Sequence, residues 1–220
     1  MILQVALVLI IAMCLYLIVF KYQLFAKFEV KEIKFPTGRI IFTSYKGQYS
    51  KVGEKIKTVI SDLDKYADFK NKKISHTYFG IYYDDPCRIV DPNESRAIVG
   101  IIIFSENLKN FNADEFINKF EEKSLSYQTK SFQEFKSVGA KFPLFNFINI
   151  MSGIFRGYPA IKKYAKNMGI LENFQCSLEI YDYKNKELTI SFPYESESDL
   201  LWLSGYPVPV YKDTEVYKTK

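Results

Sequence analysis

Hydrophobic and polar positions follow two periods along this chain, and they predict two similar series of elements. In the first series, Val52, Ile56 and Val59 fall on one helix face while neighbouring lysines stay in water. Around this helix, runs of β-branched and aromatic residues bounded by turn residues predict strands. These strands lie at 38–45, 76–83 and 96–104.

The second series follows the same order. A short helix is predicted at 113–123, and Pro143 is expected to open a longer apolar helix. The sequence Gly157-Tyr158-Pro159 is expected to interrupt that helix, and Gly169 to end it. The strands predicted in this series lie at 127–138, 174–182 and 187–194.

The repeated order predicts an α+β fold built from a duplicated β-α-β-β unit. Residues 80–84 and 178–182 have similar sequences and lie at corresponding places in the two series. One such unit cannot bury its helix face alone, so two units are expected side by side. The expected result is an antiparallel sheet with helices on one face and a concave pocket on the other.

The chain begins with an apolar segment that carries no charge. Residues 2–20 rise about 28 Å as a helix, which matches a bilayer core and predicts a transmembrane anchor. A cleaved signal peptide fits less well, because no basic stretch precedes the segment. Lys21 and Lys27 follow it and predict a cytosolic body. The predicted boundaries are an anchor at 1–22, a linker at 23–37, the domain at 38–212 and a short tail at 213–220.

Charge and cysteine content limit the classes of partner and the cellular compartment that are expected for this chain. The net charge is +5, with 30 basic and 25 acidic residues spread along the chain, so no dense nucleic-acid surface is expected. Cys87 and Cys176 suit a reducing compartment better than a disulfide scaffold. The glycosylation triplet at Asn93 is therefore expected to be unused.

Several ordered motifs resemble the GyrI-like (SOUL-like) domain, and more narrowly its membrane-anchored members that act as reticulophagy receptors. The resemblance rests on residues 82–86, 96–100, 158–161 and 178–181. It implies an endoplasmic reticulum or nuclear envelope membrane, and an adaptor role in autophagy. It further implies a ubiquitin-like autophagy modifier and the valosin-containing AAA-ATPase as partners. Such receptors bind the modifier through an aromatic motif in a long tail that this chain lacks. Trp202, which is flanked by acidic residues, is a weak candidate for binding the modifier instead.

The same resemblance implies a ligand cleft, which supports an alternative reading as a membrane-tethered module for hydrophobic cations. Glu179 occupies the position of the cleft carboxylate, and a carboxylate among aromatic rings suits cations. Tyr181 and Tyr83 are expected beside it as repeat-related residues. An ordinary solvent-facing sheet carboxylate remains the competing interpretation of Glu179.

Enzymatic activity is not expected. The chain has one histidine, His76, and lacks phosphate-loop, dinucleotide and nucleophile-elbow motifs. No metal or cofactor is predicted, because Cys87 and Cys176 lack ligand spacing. Two alternatives stay open: a Cys87–His76 pair as a nucleophile, and haem ligation by His76 as in haem-binding proteins of similar fold.

Overall fold

The computed structural model describes residues 2–17, 19, 25–63, 65, 76–85, 87–110, 127–194, 204–207 and 210. The strands of these residues are β1 Lys31–Phe35, β2 Gly38–Lys46, β3 Thr77–Tyr82, β4 Arg96–Phe104, β5 Gln128–Phe132, β6 Phe135–Pro143, β7 Ser177–Asp182 and β8 Glu187–Pro193. The helices are α1 Ile2–Tyr16, α2 Val52–Leu63 and α3 Phe147–Met168. All eight strands form one antiparallel sheet in the order β1-β6-β8-β7-β3-β4-β2-β5.

The sheet curls back on itself. The connection from β5 to β6 spans only residues 133–134, although these strands stand six positions apart in the sheet. A flat sheet would separate them by roughly 29 Å at ~4.8 Å per strand, whereas three Cα–Cα steps cover at most about 11 Å. The two sheet edges must therefore approach each other, and Phe132 contacts Phe135 across this turn at 5.8 Å between ring centroids.

The two faces of the curled sheet bury different clusters. The inner face is filled by aromatic and branched side chains, among them Phe42, Phe79 and Leu178. The predicted concave pocket is therefore packed with apolar side chains. The outer face carries α2 and α3, whose buried side chains Val59 and Ile161 pack on the sheet. The prediction of helices on one face of an antiparallel sheet is confirmed.

The repeat is larger than predicted and its halves are interlocked. Each half contains two strands, a helix and two strands, so the unit is β-β-α-β-β. The first strand of each half pairs with the other half: β1 with β6, and β5 with β2. The strand β1 lies inside the segment expected to be a linker, and the predicted domain boundaries otherwise stay predictions.

Helix α3 differs from its prediction at the start and in the middle. It begins at Phe147, because Pro143 ends β6 and the Asn146 side chain caps the first turn. Pro159 removes one backbone hydrogen bond but does not interrupt the helix. Gly169 adopts a left-handed conformation with φ 71° and ends it as predicted.

One further predicted element differs from the structure, and another cannot be compared with it. The predicted strand 127–138 is two strands, β5 and β6, separated by the turn that the curl requires. The predicted helix at 113–123 lies outside the described residues.

The predicted transmembrane anchor is wrong by the structure. Helix α1 has 15 residues, so it rises about 22 Å, which is short of the ~30 Å hydrocarbon core. Among the described residues, no helix is both long enough and apolar enough to cross a membrane.

Candidate functional site

The centre of the sheet is the pair β3–β7, where the two halves of the molecule meet. The register places Gly80 opposite Glu179, and Tyr82 opposite Ser177. Alternate residues of a strand share a face. Glu179 and its neighbours at 177 and 181 therefore face the helices, and Tyr158 of α3 reaches them from above.

Glu179 is a buried carboxyl with hydroxyl partners. Its side chain is only 3% exposed. The Tyr158 hydroxyl donates to Oε1 over 2.7 Å, and the Tyr181 hydroxyl donates to Oε2. No lysine, arginine or histidine among the described residues forms an ion pair with this carboxyl. The charge is thus held by neutral donors alone.

The hydroxyl protons around Glu179 have only one consistent direction when the carboxyl is ionised. Tyr181 has one proton and gives it to Glu179, so the Tyr82 hydroxyl, 3.2 Å away, must donate to Tyr181. Tyr158 likewise gives its proton to Glu179, so Ser177, with Oγ 3.0 Å away, must donate to Tyr158. All four hydroxyls then point toward the carboxylate.

Burial and hydrogen bonding act against each other on this carboxyl. Burial raises the pKa of Glu179 above its ordinary value, and the hydroxyls of Tyr181, Tyr158 and Tyr82 oppose that rise. Burial and the nearby carboxylate raise the pKa of each of these phenols well above its ordinary value, so the phenols stay protonated. A cation close to Glu179 would favour the ionised form further.

Gly80 leaves space for the hydroxyl groups around Glu179. A Cβ at this position would lie 2.8 Å from the Tyr82 hydroxyl oxygen and 2.9 Å from its Cζ. The Tyr82 ring can therefore fold back over the strand and bring its hydroxyl to Tyr181. This is a close approach that any larger residue at position 80 would obstruct.

The structure separates Tyr83 from the other predicted site residues. Glu179 and Tyr181 lie together, but Tyr83 packs in the inner cluster with Cys176 and Leu178. Tyr82, the preceding residue, takes the place expected for Tyr83. A shift of one residue moves a side chain to the opposite face of a sheet, and aligning Tyr83-Asp84 with Tyr181-Asp182 introduces that shift.

Trp202, the predicted partner-binding residue, lies outside the described residues. Two described residues beyond it contact the rest of the domain. Ser204 is buried, and the Val210 carbonyl accepts a hydrogen bond from the Val90 N–H over 2.9 Å. Val210 therefore lies against the connection between β3 and β4.

A second buried carboxyl, Asp84, lies at the start of that connection. Arg96 donates to Asp84 through Nη2, at 2.8 Å from Oδ1, and through its backbone N–H, at 2.7 Å from Oδ2. The Arg96 Nε lies 3.2 Å from Oδ2. Both side chains are buried, so this is an ion pair shielded from water.

The remaining candidates stand apart from Glu179. The His76 ring packs edge-on against Tyr78 at 5.4 Å. Cys87 is exposed, while Cys176 is buried, and burial raises the pKa of its thiol to about 12. Within the described part of the chain, no group of three or more potential ligands could hold a metal ion.

The predicted membrane localisation and autophagy role need correction. They depended on an anchor that spans a membrane, and the described helices contain none of sufficient length and apolar character. Neither the structure nor the similar structures give support for the endoplasmic reticulum, for an autophagy modifier or for the AAA-ATPase as partners.

Comparison with known proteins yields only distant structural likeness. No protein-family profile and no curated protein matches the chain. The EcmrR C-terminal domain has 10% identity and a TM-score of 0.49 over 76% of this chain and 98% of its own. SAV2435 bound to tetraphenylphosphonium has 10% identity and a TM-score of 0.45 over 76% of this chain and 94% of its own. An uncharacterised conserved protein from Listeria innocua has 12% identity and a TM-score of 0.47 over 81% and 98% of the chains.

Proposed function

We propose that this domain binds a small organic cation with apolar groups, using Glu179 as the counter-ion. The observation that carries the proposal is the burial of an acidic side chain whose hydrogen-bond partners, among the described residues, are all hydroxyls. Buried charges in proteins are normally paired, because desolvation is costly. A ligand that brings a positive charge would supply the missing pair.

The surroundings of Glu179 favour a cation that is also apolar. Tyr158, Tyr181 and Tyr82 surround the carboxyl, and Phe192 packs edge-on against Tyr158 at 5.3 Å between centroids. The faces of such rings attract cations, and their carbon surface favours apolar groups. A small hydrated ion would gain little from these rings, whereas an organic cation loses less hydration on entering them.

The phenols keep the carboxylate hydrogen-bonded while no ligand is present. They are neutral donors, so they satisfy both carboxylate oxygens without cancelling the charge. Tyr158 belongs to α3 and covers Glu179 from the helix layer. A bulky cation therefore reaches the carboxyl only when Tyr158 changes its rotamer or its helix shifts.

We also propose that binding occurs without chemical conversion of the ligand. The groups nearest to Glu179 are phenols and a serine hydroxyl, and the phenol pKa values are raised rather than lowered, so no activated nucleophile faces the ligand. Mass spectrometry of the ligand after long incubation tests this proposal. A converted product that depends on Glu179 would contradict it.

The binding proposal is tested by calorimetric titration with tetraphenylphosphonium, a permanent cation with four apolar rings. We expect the wild-type chain to bind it and to discriminate against triphenylphosphine oxide, which has similar rings and no net charge. Glu179→Gln should weaken cation binding at least tenfold, which corresponds to ~1.4 kcal/mol, while leaving the weak affinity for the oxide unchanged.

The matched control is Glu187→Gln, which makes the same chemical change on the neighbouring strand. Glu187 is half-exposed and forms an ion pair with Lys141, whereas Glu179 is buried and bonded to phenols. It should bind the cation as the wild type does. Equal cation affinity in Glu179→Gln and the wild type, or no cation binding by the wild type, would overturn the proposal.

A further inference from the structure

Tyr49 is fixed at the edge of the Glu179 cluster by contacts to both ends of the β3–β4 connection. It begins the 3-10 turn Tyr49–Lys51 before α2. Its hydroxyl donates to the Arg96 carbonyl over 2.8 Å and accepts from the Asp84 N–H over 3.0 Å. Because Asp84 and Arg96 are themselves a buried ion pair, Tyr49 bonds the backbone of two residues that are already held together.

The other end of Tyr49 contacts the cluster. Its ring meets the Tyr82 ring edge-on, with 5.0 Å between centroids and 73° between planes. Tyr82 in turn places its hydroxyl 3.2 Å from that of Tyr181, which donates to Glu179. A Cβ at Gly80 would lie 2.8 Å from the Tyr82 hydroxyl oxygen, so the glycine leaves space for this ring. The Tyr82 ring thus packs close to both Gly80 and Tyr49.

We infer that Tyr49 is a positioning residue: it holds Tyr82 in the hydroxyl chain that ends on Glu179 and so tunes the charge of that carboxyl without touching it. A hydroxyl that accepts a hydrogen bond becomes a stronger donor, so the Tyr82 bond strengthens the Tyr181 bond to the carboxylate. If Tyr82 turned away, the ionised carboxyl would lose part of its stabilisation.

The groups that face Glu179 make this effect measurable. They are Tyr158 from α3, Ser177 and Tyr181 from β7, and Tyr82 from β3. Burial raises the pKa of Glu179 and the three phenols oppose that rise, and no charged side chain of the described residues contributes to the shift. The effect of a change at Tyr82 is therefore not masked by an ion pair within the described part of the chain.

The inference rests on the proposed function only for its biological meaning, because the test needs no ligand. The carboxyl carbon of Glu179 is followed by NMR during a pH titration of the full chain labelled at glutamate. We expect Tyr82→Phe to raise the titration midpoint of Glu179, and Tyr49→Phe to raise it by a smaller amount. The double variant should not exceed Tyr82→Phe, because both changes act through one chain.

The matched control is Tyr45→Phe. Tyr45 also lies near the 3-10 turn and donates over 2.8 Å to the Gln48 carbonyl, but within the described part of the chain it forms neither a hydrogen bond nor a ring–ring contact with Tyr82. Its Glu179 midpoint should equal that of the wild type. An unchanged midpoint in Tyr49→Phe, or additive shifts in the double variant, would overturn the inference.

The role of Tyr49 and the proposed ligand binding are tested by separate measurements. Tyr82→Phe leaves both backbone bonds of Tyr49 intact, so an unchanged Glu179 midpoint in that variant overturns the inference even if Tyr49→Phe fails to fold. Calorimetric titration of the same variants with tetraphenylphosphonium tests the proposed function separately. A chain that shows the predicted midpoints but binds no cation retains the role of Tyr49 and loses the ligand proposal.

Discussion

Two of the buried carboxyls, Asp84 and Glu179, have partners that differ in kind. Asp84 accepts hydrogen bonds from the Arg96 guanidinium, with Nη2 2.8 Å from Oδ1, and from the Arg96 backbone N–H at 2.7 Å. Among the described residues, Glu179 accepts hydrogen bonds only from hydroxyls, those of Tyr158 and Tyr181. Asp84 therefore has an opposite charge built into the fold, whereas the described partners of Glu179 are neutral donors. The difference fits a structural role for Asp84 and the proposed binding of a cation at Glu179.

The contact between the two carboxyl sites is short and runs through aromatic rings. Tyr49 bonds the backbone of the Asp84–Arg96 pair and packs against Tyr82, which belongs to the Glu179 cluster. A buried ion pair therefore supports the proposed ligand site. If this division of roles is correct, substitutions at the two sites should differ in the size of their effect on stability.

The largest effect is expected from Arg96→Met, which leaves Asp84 buried without its cation. Breaking a buried pair in this way typically costs about 3–5 kcal/mol. The free energy of unfolding measured by urea denaturation should fall by that amount. The control is Lys141→Met, which breaks an exposed pair with Glu187 and should cost less than ~1 kcal/mol. Equal losses of unfolding free energy in the two variants would contradict the structural role of Asp84.

A smaller loss is expected from Tyr158→Phe. The change removes one donor from a buried carboxylate, and an unsatisfied buried acceptor costs about 1–3 kcal/mol. Tyr183→Phe is a suitable control, because Tyr183 is half-exposed and its hydroxyl forms no hydrogen bond with the other described residues. Its unfolding free energy should stay within ~0.5 kcal/mol of the wild type. Comparable destabilisation by both substitutions would show that the Tyr158 bond adds nothing.

The third prediction concerns the dependence of stability on pH and tests the raised pKa of Glu179. The pKa of Glu179 is raised above its ordinary value of 4.5, chiefly by burial, so between the unfolded and folded pKa values the folded protein holds more protons. Stability then falls as the pH rises through that window, and the penalty is complete above the folded pKa. Glu179→Gln has no such proton, so its stability relative to the wild type should improve from pH 4.5 upward and then level off.

This pH effect is measured by urea denaturation of both chains at a series of pH values. Saturating tetraphenylphosphonium should reduce it, because a bound cation favours the ionised carboxyl. A constant stability difference between Glu179→Gln and the wild type at every pH would show that the carboxyl is not perturbed in the folded chain.

The smallest effect is expected from Lys162→Ala. Lys162 binds Asp85 at 3.1 Å and joins α3 to the β3–β4 connection, but both side chains are substantially exposed. Such a pair contributes less than ~1 kcal/mol, and added salt should reduce that contribution further. A loss larger than that of Tyr158→Phe in the same denaturation experiment would contradict this ranking.

Local patterns predicted the elements whose neighbours lie close in sequence. The spacing of Val52, Ile56 and Val59 predicted α2, and the start of β4 at Arg96 was predicted to the residue. The interruption at Pro159 was wrong, because the buried Ile161 and Ala165 and the close packing of Gly157 on Phe142 hold the helix together. These contacts with the sheet outweigh one lost hydrogen bond.

The candidate site was only partly predictable for a similar reason. Strand alternation places Glu179 and Tyr181 on one face, which a sequence can show. The choice between Tyr82 and Tyr83 depends on the register of β3 against β7, and Tyr158 reaches the carboxyl from a helix far along the chain. Neither relation leaves a local pattern. The exchange of β1 and β5 between the halves is also invisible to periodicity.

The pairing of Gly80 with Glu179 has a consequence for how such a fold can arise. The two residues face each other where the halves meet, so two identical copies of one half would place either two glutamates or two glycines there. Two adjacent carboxylates would repel, and two glycines would leave no charge at all. Joining both halves in one chain lets the sequence differ on the two sides of the axis. A single negative charge at the centre is therefore a property that only the fused, asymmetric molecule can have.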